Sequence, residues 1–225
     1  MESDLEIQNA ARAIVSFTDS YVQNKQRKQK EQSESKPSLA YIISTLQSLR
    51  DQIQDNKTCK SVTQIQKLLR SLTTLACYKI KIHFNKDIDR QRLNIRSCSR
   101  RCLRDIQWYC DAQIQKLFVN IGYGRVMFIS LSTAGGIGEE QDKEIYNGLQ
   151  HIHLFFSSLH QGKNNQGQSS FQPLPLLARR TEEQIEEEGG NEELEAQMNN
   201  NGYDDVEYWA NRAKTAILNH FIHQH

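Results

Sequence analysis

The stretch VMFISLSTAGGI, residues 126–137, is the most apolar segment of the chain and decides its fold class. It has no polar face, so periodicity alone fits a buried strand and a buried helix equally well. The neighbouring segments all have helical periodicity, and the sequence offers no second strand candidate to pair with it. We therefore predict a central helix that is buried on all sides.

Amphipathic helices are predicted along the rest of the chain, because apolar residues recur at three- and four-residue steps. They cover residues 4–24, 39–54, 61–84, 99–119, 140–160 and 203–222, and a short helix or turn is expected within 86–97. The 3 prolines and 11 glycines are too few for a turn-rich all-β protein. The fold class predicted is all-α.

One domain is expected to contain these helices. An N-terminal helix at 1–25 precedes a flexible linker at 26–37, which is almost free of apolar residues. The bundle core spans 38–160, with the central helix at about 124–138. A flexible acidic loop is predicted for 161–195, because this stretch is rich in glycine, asparagine and glutamate. Residues 196–225 are expected to supply the C-terminal helices of the same domain.

Composition and charge exclude several classes of function. Lys plus Arg (28) nearly balances Asp plus Glu (27), so net charge favours neither a nucleic-acid nor a membrane partner. No apolar run reaches the roughly 18 residues of a transmembrane helix. The odd number of cysteines and the polar N-terminus predict reduced thiols in the cytoplasm. Without a catalytic constellation or a familiar metal-ligand spacing, we expect no enzyme activity, no cofactor and no metal.

Two short motifs lie on either side of the apolar segment and the helix after it. Residues 117–126, LFVNIGYGRV, contain Gly122-Tyr123-Gly124-Arg125, which resembles the N-W-G-R of the first homology motif in the Bcl-2 family of apoptosis regulators. Residues 200–207, NNGYDDVE, resemble the second motif, N-G-G-W-D-x-F-V-E. Both motifs occur in the family's order, and tyrosine replaces both signature tryptophans.

The resemblance implies a Bcl-like helical bundle with a groove for the amphipathic death-motif helix of a pro-apoptotic partner. Arg125 would anchor the partner's aspartate, because a guanidinium presents a fork of donors to a carboxylate. Gly124 would admit the partner backbone, since it has no Cβ, and Tyr123 would support the rim. The remaining groove residues expected from the resemblance are Gly122, Leu117, Phe118, Phe128, Leu72, Leu75 and Tyr203.

The chain has two candidates for a death-motif helix of its own, and the residues leave the choice open. Residues 42–53 match the pattern L-x-x-x-G-D, except that Arg50 replaces the small residue. Residues 65–80 lie at a better distance from Gly124, but Cys77 replaces the aspartate. We prefer 65–80 as the structural equivalent of the family's death-motif helix. An ordinary apolar stripe that packs in the core would also explain either segment.

The function expected from the resemblance is regulation of apoptosis. A pro-survival role is favoured because the pair Gly135-Gly136 is similar to one in survival members. The partners would be pro-apoptotic proteins. The resemblance is compatible with homo- or heterodimers. The expected location is the cytoplasm, or the periphery of mitochondria. Two alternatives are a helical adaptor or scaffold unrelated to cell death, and an RNA-binding protein. The latter would use the basic run RSCSRRCLR at 96–104.

Overall fold

A computed structural model describes residues 2–26, 36–54, 67–80, 82–109, 111–132, 142–164, 169–198 and 204–218. Over these residues the chain forms helices and no strand, apart from an isolated antiparallel bridge between Lys163 and Phe171. The prediction of an all-α protein is therefore confirmed. The helices are α1 (Glu2–Gln26), α2 (Lys36–Gln54), α3 (Leu68–Ala76), α4 (Lys86–Tyr109), α5 (Ala112–Asn120), α6 (Tyr123–Ser132), α7 (Asp142–Gln161), α8 (Pro175–Glu186), α9 (Gly190–Met198) and α10 (Asp204–Leu218).

The apolar segment is helical as far as the structure describes it. Helix α6 covers Tyr123–Ser132, and residues 133–138 of the predicted central helix lie outside the described part. Phe128 and Leu131 are buried, but Arg125 is exposed and Ile129 is only half-buried. Helix α6 therefore has an outer edge and is not buried on all sides.

The chain divides into two compact units, Met1–Tyr109 and Cys110–His225. In the first unit α2 and α3 each pack against both α1 and α4. Its core side chains are fully buried, among them Leu46, Leu49, Leu72 and Leu103. Because residues 1–109 have a core of their own, a Bcl-like bundle with one core around 124–138 is not confirmed.

In the second unit, α6 packs against helices that precede it and helices that follow it in the chain. Helix α6 packs against α5, α7, α8 and α9, and α10 packs against α7 and α9. Residues 175–198 are largely helical, which differs from the flexible loop predicted over 161–195. The reason is a hidden apolar stripe. Ala178, Thr181 and Ile185 recur at steps of three and four and are buried, while Glu183 and Glu186 between and beside them are exposed.

The boundary between the units falls inside a segment predicted as one helix, 99–119. Helix α4 instead begins at Lys86 and ends at Tyr109, and α5 starts anew after Asp111. The Asp111 carboxylate accepts hydrogen bonds from the backbone N–H groups of Gln113 (3.1 Å) and Ile114 (3.2 Å). An aspartate in this position satisfies free donors of a new helix, so it marks a start and not a continuation.

Three buried arginines of α4 fix the segment that follows α3. Arg92, Arg96 and Arg100 are spaced one turn apart, and their Nη1 atoms donate to the carbonyl oxygens of Ile82 (2.7 Å), Tyr78 (3.2 Å) and Ala76 (3.4 Å). The last carbonyls of a helix lack partners within it and attract cations. Two arginines of the predicted RNA-binding run, Arg96 and Arg100, are thus buried and bonded inside the protein.

We predict that Arg96→Met destabilises the protein more than Arg90→Met, which changes an exposed arginine of the same helix. Methionine retains the length of the aliphatic stem but cannot donate to the Tyr78 carbonyl, and a charged hydrogen bond lost in a buried place costs about 1–3 kcal/mol. Urea unfolding followed by circular dichroism measures both losses. Equal losses in the two variants would contradict this role of Arg96.

Candidate functional site

Gly122 forms the turn between α5 and α6. Its φ of 73° lies in the left-handed region that favours glycine, and its N–H donates to the Val119 carbonyl at 3.1 Å. A Cβ built on Gly122 meets no atom within 4 Å. Glycine is required here because of the backbone conformation. The turn that this conformation forms places the next two residues at the start of α6.

Gly124 permits a close helix–helix approach. A Cβ built on it would lie 2.6 Å from Cγ2 of Thr181 and 3.7 Å from Ile185. No real Cβ fits at 2.6 Å, so only glycine allows α8 to pack this closely on α6. The resemblance predicted that the backbone of a partner's helix approaches this residue closely. In the structure that helix is α8 of the same chain.

Arg125 pairs with a carboxylate beside this contact. Its Nε lies 2.7 Å from Oε1 of Glu188, which follows the end of α8. The arginine exposes 59% of its side chain and the glutamate 25%. An ion pair this exposed contributes about 0–1 kcal/mol to stability. We refer to Gly124 and Arg125 together as the α6 edge.

Three residues predicted to line a groove are core residues instead. Tyr123 is buried, with its ring centroid 4.6 Å from that of Phe118 and 5.1 Å from that of Phe155. Phe128 is also buried, and a Cβ on Gly190 would lie 2.7 Å from its ring. Tyr123 therefore does not form a rim, and Phe118 and Phe128 stabilise the second unit from within.

The structure describes three of the four remaining predicted groove residues, Leu72, Leu75 and Leu117. Leu72 and Leu75 are fully buried in the core of the first unit. Most apolar residues of both candidate death-motif segments, 42–53 and 65–80, are likewise buried where the structure describes them, and Ile43, Cys77 and Ile80 are half-buried. Leu117 is partly exposed, and Tyr203 lies outside the described residues. The resemblance placed Leu72 and Leu75 in the groove, and both belong to the preferred death-motif segment 65–80.

The sequence interpretation missed the residues of α8 that cover this region. Besides Thr181, Ile185 and Glu188, Arg180 Nη1 donates to Asn120 Oδ1 (2.9 Å) and Gln184 Nε2 donates to the Val119 carbonyl (3.1 Å). The sequence feature that could have predicted α8 is the helical spacing of Ala178, Thr181 and Ile185. It was overlooked because the surrounding residues are rich in glutamate.

An aromatic cluster lies on α7 and α10, within the second unit. The Trp209 ring contacts the rings of Tyr208 (5.4 Å), His153 (5.5 Å) and Tyr146 (6.1 Å), and Arg212 lies over Tyr208. Burial lowers the pKa of His153, which favours its neutral form. Tyr208 exposes 53% of its surface. Trp, Tyr and Arg are the residues most enriched in the energetic centres of protein interfaces, so this cluster is a second candidate contact surface.

The described residues offer neither a metal-ligand group nor a membrane-spanning helix. There, no group of three or more His, Cys, Asp or Glu side chains could hold a metal ion. None of the helices described has the length and apolar character needed to span a membrane. The described cysteines, Cys77, Cys98 and Cys102, are not in disulfides, and burial raises the pKa of Cys102.

Comparison of this chain with protein-family models, curated proteins and solved structures finds no match.

We predict that the contact at Gly124 appears as an energetic coupling between Gly124→Ala and Thr181→Ser. Alanine favours a helix over glycine by about 0.5–1 kcal/mol, but its methyl group would collide with Cγ2 of Thr181, at a cost of about 1–3 kcal/mol. Serine removes that methyl group and keeps the hydroxyl. Gly124→Ala should destabilise the wild type and be neutral or stabilising in Thr181→Ser.

A double-mutant cycle by urea unfolding measures this coupling, which we expect to be about 1 kcal/mol or more. The Thr181→Ser variant alone provides the control for the lost methyl group. Additive effects of the two substitutions would show that α8 does not approach Gly124 as closely as the structure indicates.

Proposed function

We propose that this chain is a protein-interaction module that captures an amphipathic helix of a partner on the α6 edge. The observation that supports the proposal is the pairing of two contacts: a helix packed on Gly124 and a carboxylate on Arg125. Helix α8 and the turn after it support the proposal. They present the Thr181 side chain to the glycine and the Glu188 carboxylate to the guanidinium.

Recognition of a helix by another helical surface follows known physical rules. An amphipathic helix binds through apolar residues spaced by three and four positions, and its polar residues fix the orientation. On the α6 edge, the missing Cβ of Gly124 lets the two backbones approach. Arg125 selects a partner with an acidic residue at the matching position, because its planar fork of donors fits a carboxylate.

The finer proposal is that the partner helix comes from a pro-apoptotic protein and that the chain regulates apoptosis in a pro-survival sense. It rests on the resemblance of residues 117–126 and 200–207 to the homology motifs of the Bcl-2 family. This function would place the protein in the cytoplasm, with access to the surface of mitochondria.

A second candidate function is that of an adaptor or scaffold unrelated to cell death. The aromatic cluster on α7 and α10 favours it, because Tyr208, Trp209 and Arg212 form a partly exposed group with the composition of an interface centre. An RNA-binding function receives less support, since Arg96 and Arg100 are bonded within the first unit.

We predict that a panel of fluorescent amphipathic peptides, each with a small residue followed by aspartate, contains members that bind the wild type at micromolar or lower Kd. Arg125→Ala should weaken this binding by about tenfold, which corresponds to 1.4 kcal/mol for the loss of a charge-assisted pair. Fluorescence anisotropy provides the measurement, and Lys116→Ala, an exposed cation of α5, is the matched control.

The peptide carrying lysine in place of aspartate tests whether the charge pair is direct. It should bind the Arg125→Glu variant better than the wild type. If no peptide binds either protein, capture of a helix on the α6 edge is wrong. If a peptide binds and its affinity falls in Tyr208→Ala but not in Arg125→Ala, the adaptor function is favoured.

A further inference from the structure

We infer that α8 and the turn after it, residues 175–189, form a displaceable internal ligand that keeps the α6 edge closed until a partner helix replaces it. The inference rests on the proposed function. It concerns regulation of that same edge, and the partner it requires is a helix with a small residue, one large apolar residue and a carboxylate.

The first argument is that α8 occupies both elements of the α6 edge at once. Thr181 covers Gly124, and Glu188 lies against the guanidinium of Arg125. A partner helix cannot approach Gly124 while Thr181 lies there, because a Cβ on the glycine would already be too close. The described conformation is therefore closed to external helices, and binding requires α8 to move.

The second argument is that α8 is weakly anchored by apolar contacts. Its buried residues are Ala178, Thr181 and Ile185, and only Ile185 has a large apolar side chain. Leu176 in its first turn exposes 82% of its surface. Helix α7 differs strongly, since its Leu149, Ile152, Phe155, Phe156 and Leu159 are all fully buried. Releasing α8 exposes far less apolar surface than releasing α7 would.

The third argument is that the polar contacts of the 175–189 segment with Arg125 and Asn120 lie where they can be exchanged. Arg125 with Glu188 and Arg180 with Asn120 are exposed pairs, which contribute little and are screened by salt. A partner carboxylate could replace Glu188 on Arg125 without leaving that cation unpaired. Such a replacement is an even exchange at Arg125 itself. Release of α8 would in addition break the largely buried pair of Glu182 with His160 of α7 (3.5 Å) and the Gln184 bond to the Val119 carbonyl (3.1 Å).

The fourth argument is the position of a glycine at the end of the segment. Gly189 has a φ of 70°, a backbone conformation that residues with a side chain rarely adopt. Its neighbour Gly190 packs against Phe128 and Ile185. The turn at 187–189 separates α8 from α9, which remains packed on α10. A change of backbone angles at Gly189 would let α8 move while α9 stays in place.

The test uses the chain's own segment as a probe in trans. A fluorescent peptide of residues 174–190 is titrated against the wild type and against full-length Ile185→Glu, in which a buried charge opposes seating of α8. We expect the peptide to bind Ile185→Glu at least tenfold more tightly than the wild type. Arg179→Glu, which changes an exposed residue of α8, is the matched control and should behave as the wild type.

Hydrogen exchange shows whether Ile185→Glu is folded. We expect amides of α8 to exchange faster than in the wild type, while those of α7 keep their protection. Loss of protection in α7 together with α8 would overturn the inference, because α8 would then be a fixed part of the core. Absence of peptide binding while α7 remains protected would overturn it as well.

A second titration separates this inference from the proposed function. Foreign death-motif peptides are added to the wild type and to Ile185→Glu. If the 174–190 peptide binds the variant and no foreign helix does, the internal ligand is supported and the proposed function fails. If foreign helices bind both proteins with equal affinity, the proposed function is supported and the internal ligand is wrong.

Discussion

The close packing of α8 on Gly124 is the contact on which this account of the second unit depends. A side chain at this position would separate the two helices, because no Cβ can lie 2.6 Å from a methyl carbon. The contact places Glu188 beside Arg125 and brings Ile185 against Gly190 at the ring of Phe128. One missing Cβ therefore links a helix interface, an ion pair and part of the core.

Charged residues have different roles in the two units. In the first unit, Arg92, Arg96 and Arg100 are buried and bind backbone carbonyls, so they hold the segment after α3 in place. In the second unit, Arg125 stays exposed and pairs with a single glutamate. A buried arginine bonded to backbone is fixed by its surroundings, whereas an exposed one can change partners at little cost. This difference favours Arg125 as the residue that meets another protein.

The sequence predicted the helices but not how they divide. Periodicity identified the buried faces of α2, α3 and α7, because each has a long apolar stripe. Periodicity predicted one helix where the structure has α4 and α5, because the apolar pattern continues across Asp111. The hydrogen bonds of the Asp111 cap show where the second helix begins. Periodicity missed α8, where the buried stripe consists of two small residues and one isoleucine among glutamates. The importance of Gly124 and Arg125 was predicted from a motif, yet the residue that contacts each of them comes from a segment expected to be a loop.

The most direct measurement of the central claim is a nuclear Overhauser effect between the Thr181 methyl protons and the α-protons of Gly124 in the full-length protein. The account predicts a strong effect, because the methyl carbon lies along the direction in which a glycine α-proton points. It also predicts that adding a helix that binds the α6 edge weakens the effect. A folded protein with no such effect would show that α8 does not cover Gly124, and the account would be wrong.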